Sequence, residues 1–167
     1  RIPKEAIDKL GSILSRMGLR LNEQKTRHIQ AMDTSFNFLG FTIRYDVDVH
    51  GRNKRYWNII PSNKSVTKIR EKLRDFLKHS GHCDPPNVAK GLNTIMRGWL
   101  NYFDVPKVSY PTMSKRNLRA YLVESLYRYY NRKSQRRSRL HGTQAFELLV
   151  CKYGLIDPSK YYVKSYL

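Results

Sequence analysis

Between Pro86 and Phe103 the apolar residues Val88, Leu92, Ile95, Met96, Trp99, Leu100 and Phe103 recur at steps of three and four. That spacing puts them on one face of an α-helix and gives the chain a helical core element. The other face shows Asn93, Arg97 and Asn101, four residues apart, with Gly98 beside them. A glycine inside a helix costs about 1 kcal/mol relative to alanine. A close approach to the backbone, by a second helix or by a ligand, is therefore expected at Gly98.

On either side of this helix the pattern changes character. Pro3 to Met17 reads as a first helix with a buried stripe of Ala6, Ile7, Leu10, Ile13, Leu14 and Met17, and Gly18 is a natural C-cap. A short strand is expected from His28 to Met32, and a second over Ser35 to Tyr45, rich in Phe36, Phe38, Phe41 and Ile43 and interrupted at Gly40. Asp46 to Lys54 reads as a hairpin loop and Arg55 to Ile60 as the returning strand. From Pro61 the chain turns helical. Ser62 or Ser65 caps a helix through Lys78 that faces Val66, Ile69, Leu73, Phe76 and Leu77 inward and Lys68, Lys72, Arg74 and Lys78 outward. A third long helix runs from about Ser114 to Tyr130, with Glu124 placed to pair with Arg128. A basic run from Arg132 to Arg139, a short helix from Thr143 to Lys152 and a tyrosine-bearing tail follow. The fold class is α+β: a helix with antiparallel strands, then a mainly helical part.

Charge narrows the function. Thirty-two Lys and Arg against thirteen Asp and Glu leave a formal net charge of +19. Self-repulsion on that scale calls for a polyanionic partner. Arginines interleaved with tyrosines favour nucleic acid over a membrane surface, and no stretch is long and apolar enough to span a bilayer. The densest cluster is Lys115, Arg116, Arg119, Arg128, Arg132, Lys133, Arg136, Arg137 and Arg139, with Glu124 as its single acid. Arginine's planar fork suits phosphate contact better than mere solubility, although a charged helix face is most often simply solvated.

Other chemistry finds little support. His79, His82, Cys83 and Asp84 are close in sequence, but no second ligand pair lies at zinc-site spacing. Asp46 and Asp48 read as solvated turn residues rather than a two-metal pair. Cys83 and Cys151 give no disulfide framework, which fits a reducing intracellular compartment, bacterial cytoplasm or an organelle. The opening Arg1-Ile2-Pro3, without methionine or leader pattern, suggests a fragment or a processed chain.

Several stretches taken in order resemble one family. Leu19-Arg20-Leu21-Asn22-Glu23-Gln24-Lys25-Thr26, then Phe38-Leu39-Gly40-Phe41-Thr42-Ile43, look like the last two palm motifs of group II intron reverse transcriptases. Ile60-Pro61-Ser62 with Ser65, and Leu92-Asn93 through Arg97-Gly98-Trp99-Leu100-Asn101-Tyr102-Phe103, resemble that family's maturase-specific thumb, or domain X. The arginine-rich segment ending in Lys152-Tyr153-Gly154 is similar to the domain's closing part.

The resemblance implies a palm end over residues 1–60, a three-helix thumb over residues 61–140, and over residues 141–167 a C-terminal helix and tail that could open a DNA-binding region. It implies structured intron RNA and an RNA/DNA template-primer as partners, held by Lys25, Phe38, Gly40, Lys68, Lys72, Arg97, Gly98, Asn101 and the basic cluster. Phe38 to Ile43 would form the primer grip, and a glycine there suits a backbone laid against a sugar-phosphate. Lys25 matches the palm lysine that assists pyrophosphate departure; its alternative is a solvated lysine at a loop edge. The parent polymerase holds Mg²⁺ through an Asp-Asp pair, and no such pair occurs in this sequence. Alone, the chain is expected to be catalytically inactive and to bind no metal. Two alternatives stay open: half of a split polymerase whose fingers and catalytic palm lie on a separate chain, or a stand-alone RNA-binding module.

Overall fold

The computed structural model describes residues 3–20, 22, 26, 29–48, 54–133, 140 and 144–163. The chain divides into two compact units, Arg1–Phe36 with Arg44–Tyr56, and Asn37–Ile43 with Trp57–Leu167.

In the first unit, α1 (Lys4–Arg16) starts after an extended Pro3. It closes in a Schellman motif: Gly18 takes a positive φ of 72°, its N–H donates to Ser15 O, and the Leu19 N–H donates to Leu14 O. The apolar stripe has the expected spacing but is not a buried one. Ile7 and Leu14 are half-buried, while Leu10, Ile13 and Met17 are exposed, Met17 by 67%. Periodicity reports which residues share a face, not whether that face is covered.

The strand expected through Met32 is replaced by a turn over residues 31–34, where Gln30 O accepts the N–H groups of Asp33 and Thr34. Asp33, Thr34 and Ser35 supply ordinary turn chemistry there. Residues 27 and 28 lie outside the described part.

Three strands, β1 (Phe36–Phe38), β2 (Phe41–Val47) and β3 (Arg55–Pro61), form an antiparallel sheet in sequence order. Gly40 does not interrupt one strand; it turns the chain between two. Leu39 and Gly40 have φ of 47° and 82°, the pair of positive values that a type I′ hairpin demands. The second hairpin is closed by the Asp48 N–H on Lys54 O at 2.8 Å.

The helical unit is built on capped starts. Ser62 accepts from the Ser65 N–H ahead of α2 (Asn63–His79), and Asp84 accepts from the Asn87 N–H ahead of α3 (Pro85–Phe103). Pro85 occupies the first helical position, where its missing N–H costs nothing. Then come α4 (Thr112–Lys133), α5 (Ala145–Tyr153), ended by Gly154 at φ 66°, and a 3-10 turn at Pro158–Lys160. α2 packs against both α3 and α4, and α5 packs against the same two. One core holds Ile69, Leu73 and Leu77 of α2, Val88 through Phe103 of α3, Leu118, Leu122, Leu126 and Tyr130 of α4, and Phe146 and Leu149 of α5. The stripe from Val88 to Phe103 is thus buried as its spacing demands, apart from a half-buried Ile95.

Gly98 is not the point of close approach. A Cβ there would meet nothing within 4 Å, whereas a Cβ at Gly91 would stand 2.2 Å from Cζ of Phe76. α2 therefore crosses α3 at Gly91, and Gly98 lies on the open face.

Candidate nucleic-acid interface

Along their second halves α2 and α4 run side by side in the same direction. The Tyr121 hydroxyl donates to Arg70 O at 3.0 Å, the Tyr129 hydroxyl donates to Ser80 O, and the Lys133 ammonium donates to Cys83 O. These rungs hold open a groove of about 750 Å³ lined by Arg74, Leu77, Lys78 and Gly81 from the α2 side. Tyr121, Glu124, Ser125, Arg128, Tyr129, Arg132 and Lys133 line it from the α4 side. Burial raises the Tyr129 phenol above its usual value, with a smaller contribution from Cys83. The neighbouring Tyr130 phenol is pushed up further, by burial first and then by Tyr129, Tyr153 and Asp84. The Tyr129 hydroxyl accordingly stays protonated and able to donate.

Five cations face one carboxylate in this groove. The two helix C-termini explain part of that excess, since each carries about half a negative charge that nearby Lys and Arg offset. Two such ends account for about one of the four net positive charges. The remainder is available to a ligand. Its members differ in freedom. Arg128 is paired with Glu124, and Arg74 lies 3.8 Å from Asp75. Lys78 and Arg132 have no ion-pair partner among the described residues.

Several basic residues singled out from sequence prove to serve the fold. Lys115 is 4% exposed; its ammonium lies 2.7 Å from Asp104 and donates at 2.7 Å to Tyr161 O. The structure thus places Lys115, one of the residues expected to face a ligand, inside the fold against Asp104 and Tyr161. Arg119 pairs with Asp157 at 3.2 Å and with Glu147 at 3.6 Å, and its guanidinium sits over the Phe146 ring. Asn101 accepts from the Tyr161 hydroxyl at 2.7 Å, and Asn93 bridges Gly154 O and the Ile156 N–H. The polar face of α3 is thus largely a clip for residues 154–163. Arg97 and Arg116 are exposed with no ion pair among the described residues, as are Lys68 and Lys72, which do not line the groove.

The β1–β2 hairpin makes a second, smaller feature. Phe38 is 60% exposed, Leu39 is exposed, and Leu39 O accepts from the Tyr102 hydroxyl at 2.8 Å. A Cβ on Gly40 would come within 3.0 Å of Ser65 Oγ and 3.4 Å of the Phe103 ring. Its own chain therefore accounts for this glycine, through the positive φ and these neighbours. Lys25, Arg136, Arg137 and Arg139 lie outside the described residues.

Arg74, Lys78, Tyr121 and Tyr129 complete the groove yet were not marked by sequence as site residues. The i, i+4 steps Arg74–Lys78 and Arg128–Arg132 were a visible signal; that the two stripes face each other depends on how the helices pack. Among the described residues no group of three or more His, Cys, Asp or Glu side chains could hold a metal ion, and no helix is long and apolar enough to cross a membrane.

Residues 66–143, from the first turns of α2 past the end of α4, match the family model for the group II intron, maturase-specific domain. Comparison with curated proteins gives no match.

Proposed function

We propose that the chain binds the RNA of a group II intron in support of its splicing, and that the groove between α2 and α4 is an interface for that RNA; the match of residues 66–143 to the group II intron, maturase-specific domain supports this reading. The observation that carries this reading is the positive charge of Lys78 and Arg132, unpaired among the described residues, in a groove built inside the matched segment. Phosphate contacts release counterions, so affinity falls steeply with salt, with a slope of roughly one per phosphate neutralised. The double variant Lys78→Gln/Arg132→Gln should bind group II intron RNA more weakly and lower that slope by about two. An unchanged slope would remove the groove from the interface.

The wider setting is a reverse transcriptase whose catalytic aspartates lie outside this chain, with the Phe38–Gly40 hairpin gripping the primer end of a template-primer. Exposed Phe38, Leu39 and Tyr102 favour that reading, because they offer an apolar shelf to a sugar or base. Restored primer extension on adding a chain that bears the aspartate pair, lost again with Phe38→Ala, tests it.

A further inference from the structure

Resting on the groove's assignment to RNA, we infer that it takes the sugar-phosphate backbone of folded RNA and is blind to base identity. Two observations lead there. First, the groove's tyrosines are not free to stack on bases. Tyr121 packs against the core, carries the Arg70 guanidinium 5.4 Å from its ring centre and spends its hydroxyl on Arg70 O. Tyr129 is held likewise, with the Lys133 ammonium 5.4 Å from its ring centre and the Tyr130 ring edge-on at 4.9 Å. Single-strand binding that tolerates any sequence relies on open aromatic faces, and here both rings are occupied rungs of the fold.

Second, adenine and cytosine edges are read with amide and carboxylate side chains, and only guanine is read by Arg or Lys alone. Among the described residues no Asn or Gln lines the groove, and its one carboxylate, Glu124, is tied to Arg128. Apart from the Ser125 hydroxyl, the polar groups that remain are cations set on an apolar floor of Leu77 and the two tyrosines, and cations satisfy phosphate oxygens of any sequence. Double-helical RNA hides its base edges in a deep, narrow major groove and is bound by shape and backbone, which suits such a site. Sequence preference, where the chain shows any, then comes from other surfaces.

The test compares the penalty of Lys78→Gln/Arg132→Gln across ligands, using the full chain. The probes are two RNA duplexes of unrelated sequence, and single strands of equal length with and without bases, the latter made with abasic spacers. Thermal melting of the double variant confirms that it remains folded. The expected result is one penalty, equal within about twofold, on both duplexes and on both strands. A penalty that shrinks on the abasic strand, or differs between the duplexes, overturns the inference and leaves the groove as an RNA interface that senses bases. No penalty on any ligand overturns the groove assignment itself, and this inference with it.

Discussion

Lys115 has the composition of an RNA contact and the surroundings of a core residue, so the pair it forms with Asp104 can be put to a quantitative test. Its side chain is 5% exposed and that of Asp104 17%. Asp104→Asn keeps the shape but removes the charge, leaving the ammonium with neutral partners only: the amide oxygen, Tyr161 O and the Tyr162 ring, 5.1 Å away. An uncompensated buried charge costs about 3–5 kcal/mol. For a chain of this length that corresponds to a drop of about 6–20 °C in melting midpoint. Lys115→Met is the milder change. Asp104 keeps more solvent and the Val163 N–H at 3.3 Å, and the expected loss is about 1–3 kcal/mol. Because the two groups act on each other, the double variant should lose less than the sum of the singles. Urea unfolding followed by far-UV circular dichroism reads all three. A loss below about 1 kcal/mol for Asp104→Asn would show that water already solvates the pair, and would return Lys115 to the candidate contacts. Where both proteins are folded, Lys115→Met should leave RNA affinity within about twofold of the parent.

The two helical glycines of α3 should respond in opposite directions. Gly98→Ala meets open space and should stabilise by about 0.5–1 kcal/mol in chemical denaturation. Gly91→Ala drives a methyl into the Phe76 ring and should destabilise, since overpacking of about 1–3 kcal/mol outweighs the gain in helix propensity; a stabilised Gly91 variant would mean that the ring swings aside freely. Trp99→Ala should cost about 3–5 kcal/mol, the ring being 9% exposed in the core, while Trp99→Phe should cost much less, because the buried indole N–H has no hydrogen-bond partner among the described residues. An unchanged melting curve for Trp99→Ala would place the ring outside the core. For pH, the raised Tyr129 and Tyr130 phenols favour the neutral form in the folded state. Their contribution is fully present below the ordinary tyrosine value near 10.0 and is lost as pH rises through the folded values. Stability should therefore fall in alkaline solution above that point, and less so in Tyr130→Phe.

Local pattern was a good guide where a single element decides the outcome. The spacing from Val88 to Phe103, a serine cap at Ser62 or Ser65, the Glu124–Arg128 pair and the Gly154 stop are all set within a few residues of themselves, and the structure holds each of them, with Ser62 as the cap. The misses share one cause: each depends on what lies opposite. Gly91 and Gly98 are indistinguishable along the chain, and only the crossing of Phe76 selects the first. Lys115 and Arg132 look alike until Asp104 is seen beside one of them. The stripe of α1 has the period of a buried face, yet Leu10, Ile13 and Met17 are exposed. At Gly40 the turn was hidden by its leucine: Leu39 at φ 47° is an uncommon choice for a type I′ hairpin, where Asn or Gly is usual. The groove was half legible, as two basic stripes whose meeting the sequence does not contain.

Whether intron RNA lies along the groove between α2 and α4 is read by chemical footprinting of lysine and arginine side chains, with and without a group II intron RNA, followed by mass spectrometry. RNA in the groove should protect Arg74, Lys78, Arg128 and Arg132 from modification, and Lys78→Gln/Arg132→Gln should weaken the protection of Arg74 and Arg128. Protection confined to basic residues elsewhere, with these four modified equally in both samples, would contradict it.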